Sequence, residues 1–318
     1  APVSPTPKTP AELANMNNFM TEATQPTKAP SDDNRAEQDL FDRVIRVIPQ
    51  WAKEVPDAVW PLIINAIMHK VFAFPSDSTI IKFISKISPQ LTDHHTLVFA
   101  AVAQRMTSQP RLTAEILDSN SPESADRIKE LLFERLRPLL VMRVFHSSCF
   151  RICVPTKDSQ LQESQLVKDL ADLLFERMTD LYEFDEVRKL SSEIFGRIEP
   201  SQHSTHKAIT KLTELVAKQD YYMCKAILFA LCNNLVLYSS WLESPTDVSH
   251  KAFAADINSL LPVLASKLSI APQANAPEFG KFQQGVIEFL SLLLPFSLST
   301  PEEAPCKQLD DYHHILAF

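Results

Sequence analysis

Two of the five cysteines, Cys149 and Cys153, stand four residues apart around Arg151, and His146 lies three residues ahead of Cys149. A thiol beside basic groups loses its proton more readily, so a nucleophilic cysteine would be sought here. The same residues also suit a packing or loop role, because a catalytic pair needs the imidazole close in space and not only in sequence. Cys224 and Cys232 stand eight apart in an apolar stretch and read as small hydrophobes. None of the five has the paired spacing of a zinc site, so reduced thiols are expected.

The histidines tempt a metal reading. His94–His95 and His313–His314 are adjacent pairs that diverge on a helix, whereas His203 and His206, three apart, share a face. No acidic or cysteine neighbour completes a site locally, so structural or solvated roles are expected. No serine sits in a glycine-framed turn, and no carboxylate pair is set apart in an apolar segment. Hydrolytic chemistry has no foothold, and no catalytic, cofactor-binding or metal-binding residue is expected.

The most basic stretch runs from Arg127 to Arg151 in a chain whose net charge is −8. Arg127, Lys129, Arg137, Arg143 and Arg151 are the candidate partner contacts, suited to an acidic peptide, a phosphorylated loop or a nucleic-acid backbone. Glu123, Asp126, Glu130 and Glu134 lie three to five residues from several of these and can neutralise them along a helix. Arg135 falls seven residues after Ile128, on or beside the apolar face, where it reads as a tie between adjacent repeats.

The elements that must position these groups follow from what the chain lacks. It has three glycines, where average usage of roughly 7% would give about twenty. Nucleotide-binding loops, nucleophile elbows and tight hairpins need glycine where the backbone takes positive φ or meets a ligand, and three isolated glycines build none of them. Helices joined by short turns need few, and the 23 prolines punctuate apolar stretches. An all-α chain is expected.

Apolar residues recur at helical spacing from Arg35 onward. Val59, Ile63, Ile67 and Val71 form one stripe; Ile80, Ile84, Ile87 and Leu91 another; Leu136, Leu139, Leu140 and Val144 a third. Others follow through Leu170, Ile194, Leu212, Leu231, Leu261 and Phe289. Ser121-Pro122-Glu123 has the order of a helix start, and Asp77 and Asp93 read as caps. The longest apolar runs, broken at Asn233–Asn234 and Pro295, are expected to fall short of the roughly 18 to 20 residues that span a bilayer.

Leu131-Leu132-Phe133-Glu134-Arg135 recurs as Leu173-Leu174-Phe175-Glu176-Arg177, an offset of 42 residues. HEAT and armadillo units run about 40 to 47 residues, each burying its apolar face against its neighbours. Chance recurrence of a leucine-rich pentamer and a globular bundle are the competing readings. The expected fold is an α-α superhelix of stacked antiparallel helix pairs over residues 35–298. A Pro-rich leader over 1–34 and a tail or capping segment over 299–318 flank it. Tail residues Tyr312, Ile315, Leu316 and Phe318 suit a cap on the last repeat, a further helix of a longer parent chain, or a docking peptide. The first thirty residues suit neither a signal nor a transit peptide, so a cytoplasmic or nuclear location is expected.

Residues 130–145, ELLFERLRPLLVMRVF, and 183–200, EFDEVRKLSSEIFGRIEP, resemble segments of armadillo-type repeat proteins of plants. The resemblance implies an α-α superhelix without enzymatic activity and carries no defined binding residue. A broader likeness is to helical-repeat co-chaperone subunits that help mature large phosphatidylinositol-3-kinase-like kinases. The expected function is therefore a protein-interaction scaffold. The alternatives are a nucleic-acid-binding array using the Arg127–Arg151 stretch, a co-chaperone-type subunit, and a cysteine enzyme.

Overall fold

The computed structural model describes residues 54–76, 78–117, 122–148, 160–198, 203–239, 248–270 and 277–299, with single positions at 43, 46, 47, 50 and 242. The chain divides into two compact units, Ala1–Val47 and Ile48–Phe318. In the first, Arg43, Arg46 and Val47 are helical. Among the described residues the second holds eleven α-helices and no strand. They are α1 Trp60–Ala73, α2 Ser78–Ile87, α3 His95–Ser108, the single turn α4 Ala114–Leu117, α5 Pro122–Ser148, α6 Gln160–Thr179, α7 Asp185–Phe195, α8 Ser204–Lys218, α9 Tyr221–Tyr238, α10 Val248–Leu268 and α11 Pro277–Ser299. Short 3-10 turns cover Asp57–Val59 and Ser88–His94.

The apolar stripes become the buried faces, as period 3.6 requires. Ile80, Ile84, Ile87 and Leu91 are buried, as are Val187, Leu190, Ile194 and Ile198. In α1 the phase differs from the expected one. Trp60, Ile64, Met68 and Val71 face inward, while Val59 is exposed and Ile63 and Ile67 are half-buried. Both choices have helical spacing in so apolar a sequence, and the indole, the largest side chain available, takes the interior and stacks on His94 at 4.5 Å. The helix start at Pro122 agrees with the predicted proline at the first turn. The residue that precedes α3 is His94, which makes no side-chain cap bond; the side chain of Asp93 lies outside the described residues. Asp77 lies outside the described residues.

Within the second unit, helices touch in two series. In one, α1 meets α3, α3 meets α6, α6 meets α8 and α8 meets α10; in the other, α2 meets α5, α5 meets α7, α7 meets α9 and α9 meets α11. Cross-contacts join α3 to α5, α6 to α7, α8 to α9 and α10 to α11. The helix α9 shows what such placement demands of sequence. Its neighbours α7, α8 and α11 bury Met223, Cys224, Ile227, Leu228, Leu231 and Leu235. Contrary to the expectation that every apolar run is too short, α9 is long and apolar enough to cross a membrane, and half of it is buried inside the chain.

Close approach of α7 and α9 depends on Gly196. A Cβ there would meet the Ala230 carbonyl oxygen and stand 2.7 Å from Asn233 Cβ. Asn234, which interrupts the apolar run of α9, donates to the carbonyls of Gly196 at 2.6 Å and Ile198 at 3.2 Å, and Tyr238 donates to that of Arg197 at 3.1 Å. These carbonyls lie at the end of α7, where intrahelical partners run out. The α8–α9 turn closes with Gln219 at φ 60. The Asp220 N–H donates to Leu215 and that of Gln219 to Val216, the paired bonds of a Schellman end. Glycine usually fills this left-handed position, and the glycine-poor chain fills it with glutamine.

Candidate functional site

The recurring pentamer ends in Arg135 on α5 and Arg177 on α6, and both guanidiniums reach one carboxylate. Arg135 donates to Glu183 Oε1 at 2.8 Å and Oε2 at 2.6 Å, while Arg177 donates to Oε2 at 3.0 Å. All three side chains are buried. Phe184 N–H adds a bond to Oε1 at 3.1 Å, and Arg188 clamps the same turn by donating to the carbonyls of Asp180 and Glu183. Burial pushes the Glu183 carboxyl up from its ordinary range, and the charge and hydrogen bonds of Arg135 pull against it.

The same guanidiniums grip the segment that leaves α3. Arg135 Nη1 donates to the Pro110 carbonyl at 2.8 Å, and Arg177 Nη2 donates to the carbonyl of Met106 and to Gln109 Oε1. Gln109 in turn donates to the Glu134 carbonyl at 2.6 Å. That carbonyl needs an outside donor because Pro138, four residues on within α5, has no N–H. Arg135 thus acts between helices, as its place on the apolar face suggested. The 42-residue echo, however, does not mark equivalent places. Its first copy lies on α5, in the series of α7 and α9, and its second on α6, in the series of α3 and α8. Two like segments converge on one joint.

The candidate partner contacts do not form one ridge. Arg127 and Lys129 are exposed near the start of α5, and Arg143 is exposed sixteen residues beyond Arg127, about 24 Å along the axis. Between them the basic side chains turn inward. Arg137 is buried and donates to the carbonyls of Phe74 and Pro75, so the structure corrects its assignment as a partner contact. Eight residues separate Arg135 from Arg127 and two separate it from Arg137, and this part of α5 lies between α2, α3 and α7. Arg143 pairs with Glu193 on α7 at 3.4 Å. Arg151 lies outside the described residues.

Cys149, Cys153, Cys306, His313 and His314 also lie outside the described residues, as does the side chain of His146. Cys224 and Cys232 are free thiols whose burial pushes each up to about 12, so at neutral pH they stay protonated and poorly nucleophilic. His203 and His206 do have acidic partners, contributed by sequence-distant helices: Asp172 on α6 at 3.1 Å and Asp256 on α10 at 2.9 Å. Lys207 shares Asp172. No group of three metal-ligating side chains occurs among the described residues.

One surface has no such polar account. Along α9, Tyr222, Phe229, Val236 and Leu237 are exposed, with Val236 at 62%. Residues 222, 229 and 236 are seven apart and fall on one stripe. Tyr222 is held at one end by Asp185 and by Arg188 over its ring. The rest stands in solvent.

No family model, curated protein or solved structure matches this chain.

The site must therefore be read from its own geometry. Glu183, Asn234, Asp172 and Asp256 were missed in the sequence because their partners lie beyond helical spacing. The exposed row of α9 was hidden inside a run that is apolar on every side.

Proposed function

We propose that the chain is a protein-interaction scaffold, an α-α superhelix of stacked helix pairs that acts by binding and not by catalysis. The observation that carries this is the exposed row Phe229, Val236 and Leu237 on a helix whose other faces are buried. Large apolar groups grouped on a surface mark contact sites more often than isolated ones do. The contact order supports the architecture: two series of neighbours with cross-contacts between successive members. The first helices of the last three pairs begin 44 residues apart, at Gln160, Ser204 and Val248, inside the range of HEAT and armadillo units. The resemblance to armadillo-type proteins agrees with this reading, and a cytoplasmic or nuclear location is proposed with it.

Affinity capture from native extract, comparing the wild-type chain with Phe229→Glu/Val236→Glu, tests the proposal. The expected result is a reproducible set of proteins depleted about tenfold by the variant, at equal helicity by circular dichroism. An identical set on both chains overturns it.

A further inference from the structure

The row on α9 is small. From Tyr222 to Leu237 it runs fifteen residues, about 22 Å of helix, and one helix is about 10 Å wide. Roughly 200 Å² follows, well under the ~800 Å² per partner of a stable interface between separate chains. An occupant that covers this row alone must therefore be tethered, because a short linker supplies an effective concentration near the millimolar range and makes a weak contact sufficient.

The fold places one such tether beside the row. Tyr221 packs on Phe279 and Phe282 at 4.8 and 5.1 Å, and Gly285 lies against Leu228, so α9 and α11 run parallel with their starts level. Continuing that register sets Leu237 level with about Leu294, and α11 ends at Ser299, little more than one turn further. The chain thus leaves α11 next to Val236 and Leu237, the more exposed end of the row. Residues 301–318 follow, with Tyr312, Ile315, Leu316 and Phe318 grouped in their last seven positions. Extended, eighteen residues span about 60 Å, ample to run back along 22 Å of α9.

We propose that segment 301–318 lies on the exposed row of α9 and occupies it until a larger partner displaces it. This rests on reading the row as a binding surface. It makes the surface self-covered, and the apolar end of the segment supplies what the row lacks.

The test is photo-crosslinking in the full chain with p-benzoylphenylalanine in place of Phe229 and, separately, of Val236. Expected are adducts within one chain that map by mass spectrometry to 301–318. Their yield should fall about tenfold, the change that about 1.4 kcal/mol of lost docking energy produces, when Tyr312, Ile315, Leu316 and Phe318 are all changed to serine. Adducts between two copies, adducts elsewhere in the chain, or none would overturn the proposal. So would adducts to phosphatidylcholine vesicles that displace those to the segment. The scaffold reading is judged separately, on partner loss in Phe229→Glu/Val236→Glu, so either can fail alone.

Discussion

Two polar ties join successive helices of the second unit, one dry and one wet. At the dry joint the side chains of Arg135 and Glu183 are 2% and 0% exposed; at the wet strap those of His203 and Asp172 are 42% and 43% exposed. Both link residues far apart in sequence with similar distances. Water makes the difference. In the strap, solvent competes for each charge and screens the pair, so it contributes about 0 to 1 kcal/mol. In the joint, a carboxylate and two guanidiniums have given up hydration, and each depends on the others. A buried pair of this kind adds little net stability over a well-packed apolar one, yet it fixes which helix ends meet.

The sharpest way to break the joint is Glu183→Ala. It leaves Arg135 and Arg177 buried without their carboxylate, and a loss of about 3 to 5 kcal/mol is expected in urea unfolding monitored by helicity. A loss under about 1 kcal/mol would place the joint in the class of the strap. Gly196→Ala ranks next: the Ala230 backbone and Asn233 Cβ of α9 leave no room for the new methyl, and about 1 to 3 kcal/mol is expected from the same measurement. An unchanged midpoint would mean that α7 and α9 have slack where they meet. Gln109→Ala should cost about 1 to 2 kcal/mol, because it strips the Glu134 carbonyl of the donor that replaces the missing N–H of Pro138. Gln109→Glu, which keeps the size but not the donor, should do no better.

Helices were legible because burial on one face leaves a period in the sequence, and scarce glycine excluded most alternatives. The stripes of α2, α7, α8 and α11 could be read residue by residue. The phase of α1 could not, since Ile63, Ile64, Ile67 and Met68 offer two faces of nearly equal apolarity. Arg135 was legible from its register beside the core. Arg137 sits two residues on, and its guanidinium reaches the backbone of Phe74 and Pro75, more than sixty residues away, which no helical spacing announces. The pentamer was visible as an echo, but its meaning was not. Glu183 lies six residues beyond Arg177 and forty-eight from Arg135, so no helical spacing joins the three. The exposed row of α9 was the least legible, because a helix apolar all round gives no sign of which side its neighbours leave open.

The smallest effect expected is at the wet strap, and it differs from the dry one in sign and in salt response. Burial pushes Asp172 up, but hydrogen bonds and charge from Lys207 and His203 outweigh this and hold its carboxyl below the ordinary value of 3.8. A carboxyl lowered by folding stabilises the native state above its unfolded pKa, and that contribution fades as pH falls through the lowered native value. Asp172→Asn should therefore cost under about 1 kcal/mol near neutral pH, and the cost should vanish as pH falls through the lowered native value. Raising salt from 0.05 to about 1 M should erase most of the neutral-pH difference, because the Debye length then contracts to about 3 Å. The Glu183→Ala deficit should persist in the same salt, since ions cannot enter the joint. If salt reduced both deficits alike, burial would not be what separates the two ties, and the joint would have to be open to solvent in solution.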